Sequence, residues 1–220
     1  MDKPPNHRLP EDRLAFFGRV GADVSHDMRN TLSIIGEYAG LLDDLMTMAE
    51  QGKFPDYAKL KGLSAKITQQ VKNGTQSMER FSRFAHATDE PATSCDLTAL
   101  VENTAALAQR RVALAGCRLQ VQLPDRSLPV KADPSILQQA VFSAIELMLQ
   151  LQEADASLTV KIVAETPAAV ITISGPDAVA GSQWSEQLSG LQAMMKDLQG
   201  SIEAERTSGT CLLTLKVPTQ

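Results

Sequence analysis

The 220-residue chain has few aromatic residues and no long apolar run, and each shortage excludes a class of function. Aromatic residues make up only 4% of the sequence, which argues against a base-stacking surface or a large aromatic ligand pocket. No stretch approaches the roughly 20 consecutive apolar residues that a membrane-spanning helix needs. Residues 1–13 contain no apolar segment of the kind found in secretory signals, so we expect a cytoplasmic protein that contacts no membrane.

Cysteines are also few, and basic residues are slightly outnumbered by acidic ones. Cys95, Cys117 and Cys211 are widely spaced and form no C-x-x-C pair, so the sequence predicts reduced thiols and no zinc site. Lys and Arg number 21 against 26 Asp and Glu, which gives a net charge of −5. Without a dense basic run, a nucleic-acid-binding surface is not expected. The 43% of apolar residues are sufficient for a core, so global disorder is excluded.

The pattern of the sequence changes near residues 88–95. Helical periodicity dominates before this point, and strand-like runs alternate with helical ones after it. We therefore predict four segments: a disordered tail over 1–9, a helical hairpin over 10–88, a linker over 89–95 and an α/β sandwich over 96–220. The fold class is α+β, with several helices on one face of a mixed sheet.

The first half predicts two long helices. Apolar or small residues recur in steps of three and four from Leu14 to Ala49, and the glycine and proline at Gly52 and Pro55 end the pattern. A second seam runs from Leu60 to Ala85. A short connection between them requires an antiparallel hairpin, and one hairpin covers only one side of each seam. We therefore expect a homodimer, in which two hairpins form a four-helix bundle. The seam of the first helix comprises Leu14, Phe17, Gly21, Val24, Met28, Thr31, Ile35, Tyr38, Leu42, Leu45 and Ala49.

The second half predicts three helices and six strands. Asp96 and Asp133 are suited to cap two of the helices, and Gly116 and Gly200 to end two of them. The predicted helices cover residues 97–115, 135–152 and 185–199. The predicted strands cover residues 118–123, 128–132, 158–164, 169–174, 202–206 and 211–217.

One segment of the first helix carries chemistry, the run S-H-D-M-R-N-T-L at residues 25–32. His26 lies about 200° around the helix from the seam residue Val24, and it therefore points to solvent. Asn30 lies on the same face and Asp27 is adjacent. An exposed imidazole beside a carboxylate can be held in one tautomer, with its other nitrogen free as a nucleophile for a phosphoryl group. His7 and His86 have no such surroundings.

This run resembles the H-box of the dimerisation and phosphoacceptor domain of histidine kinases, with Thr31 where that box usually has proline. We use the term H-box for residues 25–32. The resemblance implies that His26 is phosphorylated and that Asp27 orients the imidazole or acts as general base. It places Asn30 where the family's phosphatase activity positions a water molecule.

The second half resembles the Bergerat-type ATPase domain of the same family, through residues 96–101 and 132–139. Three of the family's nucleotide contacts are altered here. Ser143 and Leu147 replace two asparagines, the second of which holds magnesium in the family, and leucine offers no oxygen to a hard cation. Ser174 replaces the aspartate that binds adenine, and Asp177 is displaced by three residues. Of the glycine-rich phosphate turn only Gly190 remains. We therefore expect no bound nucleotide, no cofactor and no metal.

A phosphoacceptor hairpin followed by a degenerate ATPase domain resembles the bacterial histidine phosphotransferases built like histidine kinases, of the ChpT type. The resemblance implies a phosphorelay in which His26 passes a phosphoryl group to and from aspartates of response-regulator receiver domains, with Mg²⁺ supplied by the receiver. Met28, Arg29, Ser33 and Glu37 are the expected receiver-docking residues. The further expected partner is a hybrid histidine kinase. The alternatives are a divergent autokinase that uses ATP, an inert dimeric adaptor, and a phosphatase of a response regulator.

Overall fold

A computed structural model describes residues 9–87, 94–165, 167–176, 184–207 and 209–219, with the side chains of residues 9–12 and 184 excepted. Most of the predicted tail and linker lies outside these residues. The chain divides into two compact units, residues 1–82 and residues 83–220. Within the part of the chain that is described, no helix is long and apolar enough to cross a membrane.

The first unit is made of two long helices, α1 (Leu9–Glu50) and α2 (Tyr57–His86), except for the end of α2 beyond residue 82. Gly52 follows α1 with a φ of +80°, a left-handed conformation that glycine adopts without strain. The carboxylate of Asp56 accepts a hydrogen bond from the amide of Ala58 at 3.0 Å and so satisfies a free amide at the start of α2. The helix α2 begins at Tyr57, three residues before Leu60, the first residue of the predicted second seam. The two predicted helices are confirmed.

The two helices approach closely at glycines. The ring of Phe81 lies 3.6 Å from the position that a Cβ on Gly21 would take, and its centroid is 5.8 Å from that of Phe17. A Cβ on Gly74 would lie 3.3 Å from the Thr31 methyl group. The predicted glycine and threonine positions of the α1 seam therefore face α2.

The predicted seam is wrong at the start of α1. Leu14 is 73% exposed, whereas Phe16 and Val20, which the heptad pattern leaves out, are buried at 4% and 1%. Heptad spacing on a straight helix drifts by about 20° per heptad, so one register does not hold over 42 residues. From Val24 to Leu45 the seam residues are buried or half-buried, as predicted.

The second unit is built on a five-stranded mixed sheet. Its strand order is β2-β4-β5-β7-β6, in which β2 and β4 are parallel and the other pairs are antiparallel. A separate antiparallel pair, β1 with β3, was not predicted as a pair. The strands are β1 (Cys95–Asp96), β2 (Arg118–Gln122), β3 (Pro129–Val130), β4 (Ser157–Ala164), β5 (Ala168–Gly175), β6 (Ser201–Thr207) and β7 (Thr210–Pro218).

Three helices, α3 (Leu97–Leu114), α4 (Pro134–Leu149) and α5 (Trp184–Asp197), pack on one face of this sheet. Every second residue of β4 and β7 is buried, which is the pattern of a sheet covered on one side. The most apolar helix, α4, lies between α3 and α5 and contacts the centre of the sheet. The α+β prediction, with helices on a mixed sheet, is confirmed.

Both predicted aspartate caps are present. Asp133 accepts hydrogen bonds from the amides of Ser135 and Ile136 at 2.8 and 3.2 Å. Asp96 caps α3 through the amide of Thr98 at 3.0 Å, and it also accepts a bond at 3.2 Å from the amide of Leu128, beside β3. Asp96 therefore joins α3 to the small sheet.

Candidate functional site

The H-box lies on an uninterrupted part of α1, and His26 is exposed there. Helical structure continues through Thr31, since threonine keeps the backbone N–H that a proline would lack. The structure gives His26 no hydrogen bond or ion pair among the described residues. Both ring nitrogens are thus accessible for chemistry with a partner protein. The prediction that His26 faces away from the seam agrees with this exposure.

The two predicted neighbours of His26 lie differently. Asn30, one turn further along, is exposed on the same face. Asp27 is half-buried and lies about 100° around the helix, because adjacent helical residues do not face each other. The structure therefore brings Asn30 into line with His26 and sets the Asp27 carboxylate to one side.

Three of the predicted docking residues share the exposed side of α1. Arg29, Ser33 and Glu37 are all exposed. At a rise of about 1.5 Å per residue, Glu37 lies about 16 Å from His26 along the helix axis. We call the exposed surface formed by His26, Arg29, Asn30, Ser33 and Glu37 the phosphoacceptor face.

Met28 lies apart from the phosphoacceptor face, and its part in receiver docking stays a prediction. It lies about 200° around the helix from His26. Its methyl carbon is 3.5 Å from the position that a Cβ on Gly74 would take, so the thioether packs between α1 and α2. The spacing of two residues between Met28 and His26 predicts this separation from the sequence alone.

The hairpin has a second open surface, which is apolar. A cavity of about 330 Å³ lies between α1 and α2, and its walls include Met28, Ile35 and Gly74. Leu32 is 60% exposed and Val71 52% exposed at this cavity. We call this surface the open seam. Further exposed apolar side chains on the hairpin are Leu14, Phe17, Leu41, Met46, Met48, Phe54, Tyr57 and Met78.

In the second unit, three of the residues at altered nucleotide-contact positions line one cavity. Ser143 and Leu147 of α4 and Gly190 of α5 border a groove of about 220 Å³, which we call the α4–α5 groove. Leu147 is only 2% exposed, so an apolar side chain is buried at the position that the sequence analysis matched to the family's metal ligand. Ser174 lies elsewhere, in the ladder of β5 opposite Thr159 and Leu212. Asp177 lies outside the described residues.

The sequence analysis missed the polar groups of this groove. Among its described lining residues, Glu146 is the one that carries a charge, and none is a lysine or arginine. A guanidinium nitrogen of Arg111 lies 3.7 Å from the Glu146 carboxylate. The side-chain oxygen of Gln187 is buried without a hydrogen-bond partner among the described residues. In the same part of the chain, no cluster of three or more His, Cys, Asp or Glu residues could hold a metal ion.

Two curated proteins resemble the chain in sequence. It is 27% identical over 134 residues, 61% of its length, to the signal transduction histidine-protein kinase AtoS of Escherichia coli K12. It is 25% identical over 139 residues, 63% of its length, to the C4-dicarboxylate transport sensor protein DctB of Rhizobium meliloti. These matches span 21% of each relative, about a fifth of its length. No protein-family model matches the sequence.

Solved structures show the same fold. A histidine kinase from Burkholderia phymatum has a TM-score of 0.52 at 12% identity, with 92% of this chain and 97% of that one covered. The catalytic domain of histidine kinase ThkA also has a TM-score of 0.52 at 12% identity and covers 59% of this chain and 98% of its own. ThkA in complex with the response regulator protein TrrA scores 0.50 at 15% identity, over 100% of this chain and 68% of that one. The chain therefore resembles histidine kinases of two-component signalling in sequence and shares the fold of their solved structures.

Proposed function

We propose that the chain is a histidine phosphotransferase of a two-component phosphorelay, in which His26 carries a phosphoryl group between receiver-domain aspartates. The observation that carries the proposal is the exposed His26 in an H-box on an unbroken helix. No part of the H-box must unfold for a partner to reach the imidazole.

The reaction is a reversible displacement at phosphorus. A lone pair of a His26 ring nitrogen forms the new P–N bond while the P–O bond to the receiver aspartate breaks, and the carboxylate leaves. The second ring nitrogen keeps its proton and shares the positive charge. Asp27 can accept a hydrogen bond from that N–H only if its carboxylate moves toward the side of α1 on which His26 lies. Phosphohistidine and acyl phosphate lie close in free energy, so the transfer runs in both directions.

The receiver would dock on the phosphoacceptor face. Arg29 and Glu37 present charges of both signs around His26, and such patterns select partners and fix their orientation. The complex of ThkA with TrrA supports a response regulator as the partner class. The receiver would supply Mg²⁺ and the stabilisation of charge, while α1 would supply a positioned nitrogen.

The α4–α5 groove supports a relay that uses no ATP. Its volume of about 220 Å³ lies below the range of roughly 300–1,000 Å³ that is usual for ligand pockets. Among its described lining residues there is no lysine or arginine to bind a triphosphate, and the Glu146 carboxylate is paired with Arg111. The buried Leu147 provides no oxygen for magnesium.

A homodimer is part of the proposal. The open seam exposes Leu32, Val71 and Met78 along the cavity between α1 and α2. A second hairpin laid along the open seam would bury these side chains and complete a four-helix bundle. Light scattering of the full chain tests this directly, since a monomer at micromolar concentration would contradict it.

The function is tested with receiver domains phosphorylated by ³²P-labelled acetyl phosphate and freed of excess label. Incubation with the full chain should move acid-labile label onto the wild-type protein and onto His86→Ala, a control that removes another exposed histidine. His26→Ala should take up none. Label on His26→Ala would refute the assignment, and so would an unlabelled wild-type protein with every receiver tested.

A second function, autophosphorylation with ATP, is favoured by one observation: both curated relatives named above are sensor proteins or kinases. It requires that the α4–α5 groove bind ATP through residues outside the family motifs. Acid-labile label from γ-labelled ATP on the wild type, absent from His26→Ala, would establish it.

A further inference from the structure

No described side chain holds the ring of His26 in place. The structure gives His26 no hydrogen bond or ion pair among the described residues, and its side chain is exposed. The position of its ring nitrogens therefore depends on the rotamer of the side chain and on the backbone of α1 at residue 26. The contacts that hold α1 against α2 on either side of His26 thus determine where the ring lies.

Gly74 of α2 lies against the inner side of the H-box. A Cβ on Gly74 would lie 3.3 Å from the methyl carbon of Thr31 and 3.5 Å from the methyl carbon of Met28. Gly74 is buried, and Thr31 and Met28 are half-buried. Glycine is unfavourable inside a helix, and Gly74 lies well inside the 30-residue α2. The contact explains the glycine, because an alanine methyl group at this position would press on Thr31.

The contact on the other side of His26 has more room. Gly21 precedes His26 by five residues and Thr31 follows it by five, so the two contacts lie about 7.5 Å to either side along α1. A Cβ on Gly21 would lie 3.6 Å from Phe81, which is an ordinary van der Waals distance. At Gly74 the same methyl group would require Thr31 to shift by a few tenths of an ångström. Of these two contacts, the tight one is that of Thr31 with Gly74.

We propose that Gly74 and Thr31 are positioning residues of the phosphotransfer, which set the place of the His26 ring through the close approach of α1 and α2. The inference rests on the proposed phosphotransferase function, because it concerns the same histidine. While the P–N bond to His26 forms and the P–O bond to the receiver aspartate breaks, the nitrogen must lie in line with the leaving carboxylate. A misplacement of about 1 Å can cost about 100-fold in rate, so a shift of a few tenths of an ångström should cost about fourfold to tenfold.

Single-turnover transfer to the full chain, from an excess of a ³²P-labelled receiver domain that labels the wild type, tests the proposal. Gly74→Ala should lower the rate constant at saturating receiver about fourfold to tenfold. The receiver concentration that gives half the maximal rate should stay within about twofold, because the phosphoacceptor face is unchanged. A merely structural role of Gly74 would lower the amplitude of labelling, which reports the folded fraction, and would leave the rate constant of the folded protein unchanged.

Further variants move the methyl group or leave the contact alone. In the double variant Thr31→Ser with Gly74→Ala, α1 loses the methyl group that α2 gains, so the rate constant should return to within about twofold of the wild type. Thr31→Ser alone leaves the contact open and should be about twofold to threefold slower, which keeps the test decisive if Gly74→Ala does not fold. Gly21→Ala and Gly62→Ala, at helical glycines with room for a methyl group, should transfer at the wild-type rate.

The outcomes separate the positioning role from the function itself. A wild-type rate constant in folded Gly74→Ala or in Thr31→Ser would overturn the positioning role and leave the phosphotransferase function standing. A double variant as slow as its slower single variant, or a Gly21→Ala variant as slow as Gly74→Ala, would overturn it as well. A wild-type protein that takes up no label from any receiver would overturn the proposed function, and the positioning role with it.

Discussion

Replacing Asp96 with alanine should destabilise the second unit by about 2–3 kcal/mol, because one carboxylate holds two elements together. It caps α3 through the amide of Thr98 at 3.0 Å and receives the amide of Leu128 at 3.2 Å. Burial of Asp96 raises its pKa, but the hydrogen bonds from Leu128, from the Ser127 hydroxyl and from the first amides of α3 outweigh burial. They hold the pKa below its usual range.

The expected loss in free energy of unfolding for Asp96→Ala is the sum of two contributions. Loss of an N-cap costs about 1 kcal/mol. Loss of a charged acceptor for a backbone amide costs about 1.5 kcal/mol at the lower end of the usual range, which suits a half-exposed carboxylate. Asp133 provides the matched comparison, since it accepts from Ser135 and Ile136 of its own helix. Asp133→Ala should therefore cost only about 1 kcal/mol.

Urea unfolding of the full chain measures both variants. The protein has a single tryptophan, Trp184, which belongs to the second unit, so tryptophan fluorescence follows that unit alone. Equal losses for Asp96→Ala and Asp133→Ala would refute the idea that Asp96 joins two elements.

The lowered pKa of Asp96 also makes the stability of the second unit depend on pH. Because the folded-state pKa of Asp96 lies below its unfolded value, its charge contributes fully above about pH 4 and this contribution is lost as pH falls through the folded pKa. Asp96→Asn keeps an oxygen acceptor but has no charge. Its deficit in free energy of unfolding should be constant from pH 7 to pH 5 and should shrink below pH 4. A deficit that grows in acid would contradict the sign of the shift.

Two further predictions concern the helix contact and a thiol. Gly74→Val should lower the stability of the hairpin by about 1–3 kcal/mol, because the new side chain would overlap Thr31. Gly62→Ala, which has open space around it, should be neutral or stabilising. Thermal unfolding followed by circular dichroism measures both variants. Burial and then the carboxylate of Asp96 raise the pKa of the Cys95 thiol to about 11. Iodoacetamide should therefore alkylate Cys95 slowly at pH 8 and faster in Asp96→Asn, and a rate typical of free cysteine would contradict this.

Local patterns explain why most elements were predictable from the sequence. Strand alternation, helical periodicity and the aspartate caps act within a few residues, so Asp96, Asp133 and Gly116 marked helix ends correctly. The pairing of β1 with β3 was not predictable in this way. It joins two strands of two residues each, Cys95–Asp96 and Pro129–Val130, and strands so short show no alternation.

In the candidate sites, too, some features follow from local patterns and others depend on tertiary packing. Exposure of His26 follows from its angle to Val24 on one helix, and the sequence alone predicts it. Burial of Phe16 and Val20, in contrast, depends on tertiary packing, and a heptad count assigned the wrong register at Leu14. The Gln187 oxygen, buried without a hydrogen-bond partner among the described residues, is a matter of tertiary packing, and no motif indicates it.

The most direct test of the central claim compares two phosphoryl donors on one protein. The wild-type chain and His26→Ala are incubated in parallel with γ-labelled ATP and Mg²⁺, and with a ³²P-labelled phosphoreceiver. The account predicts acid-labile label on the wild type from the receiver alone, and none on His26→Ala from either donor. Label from ATP on the wild type would show that an autokinase survives and that Leu147 and Ser174 were interpreted wrongly.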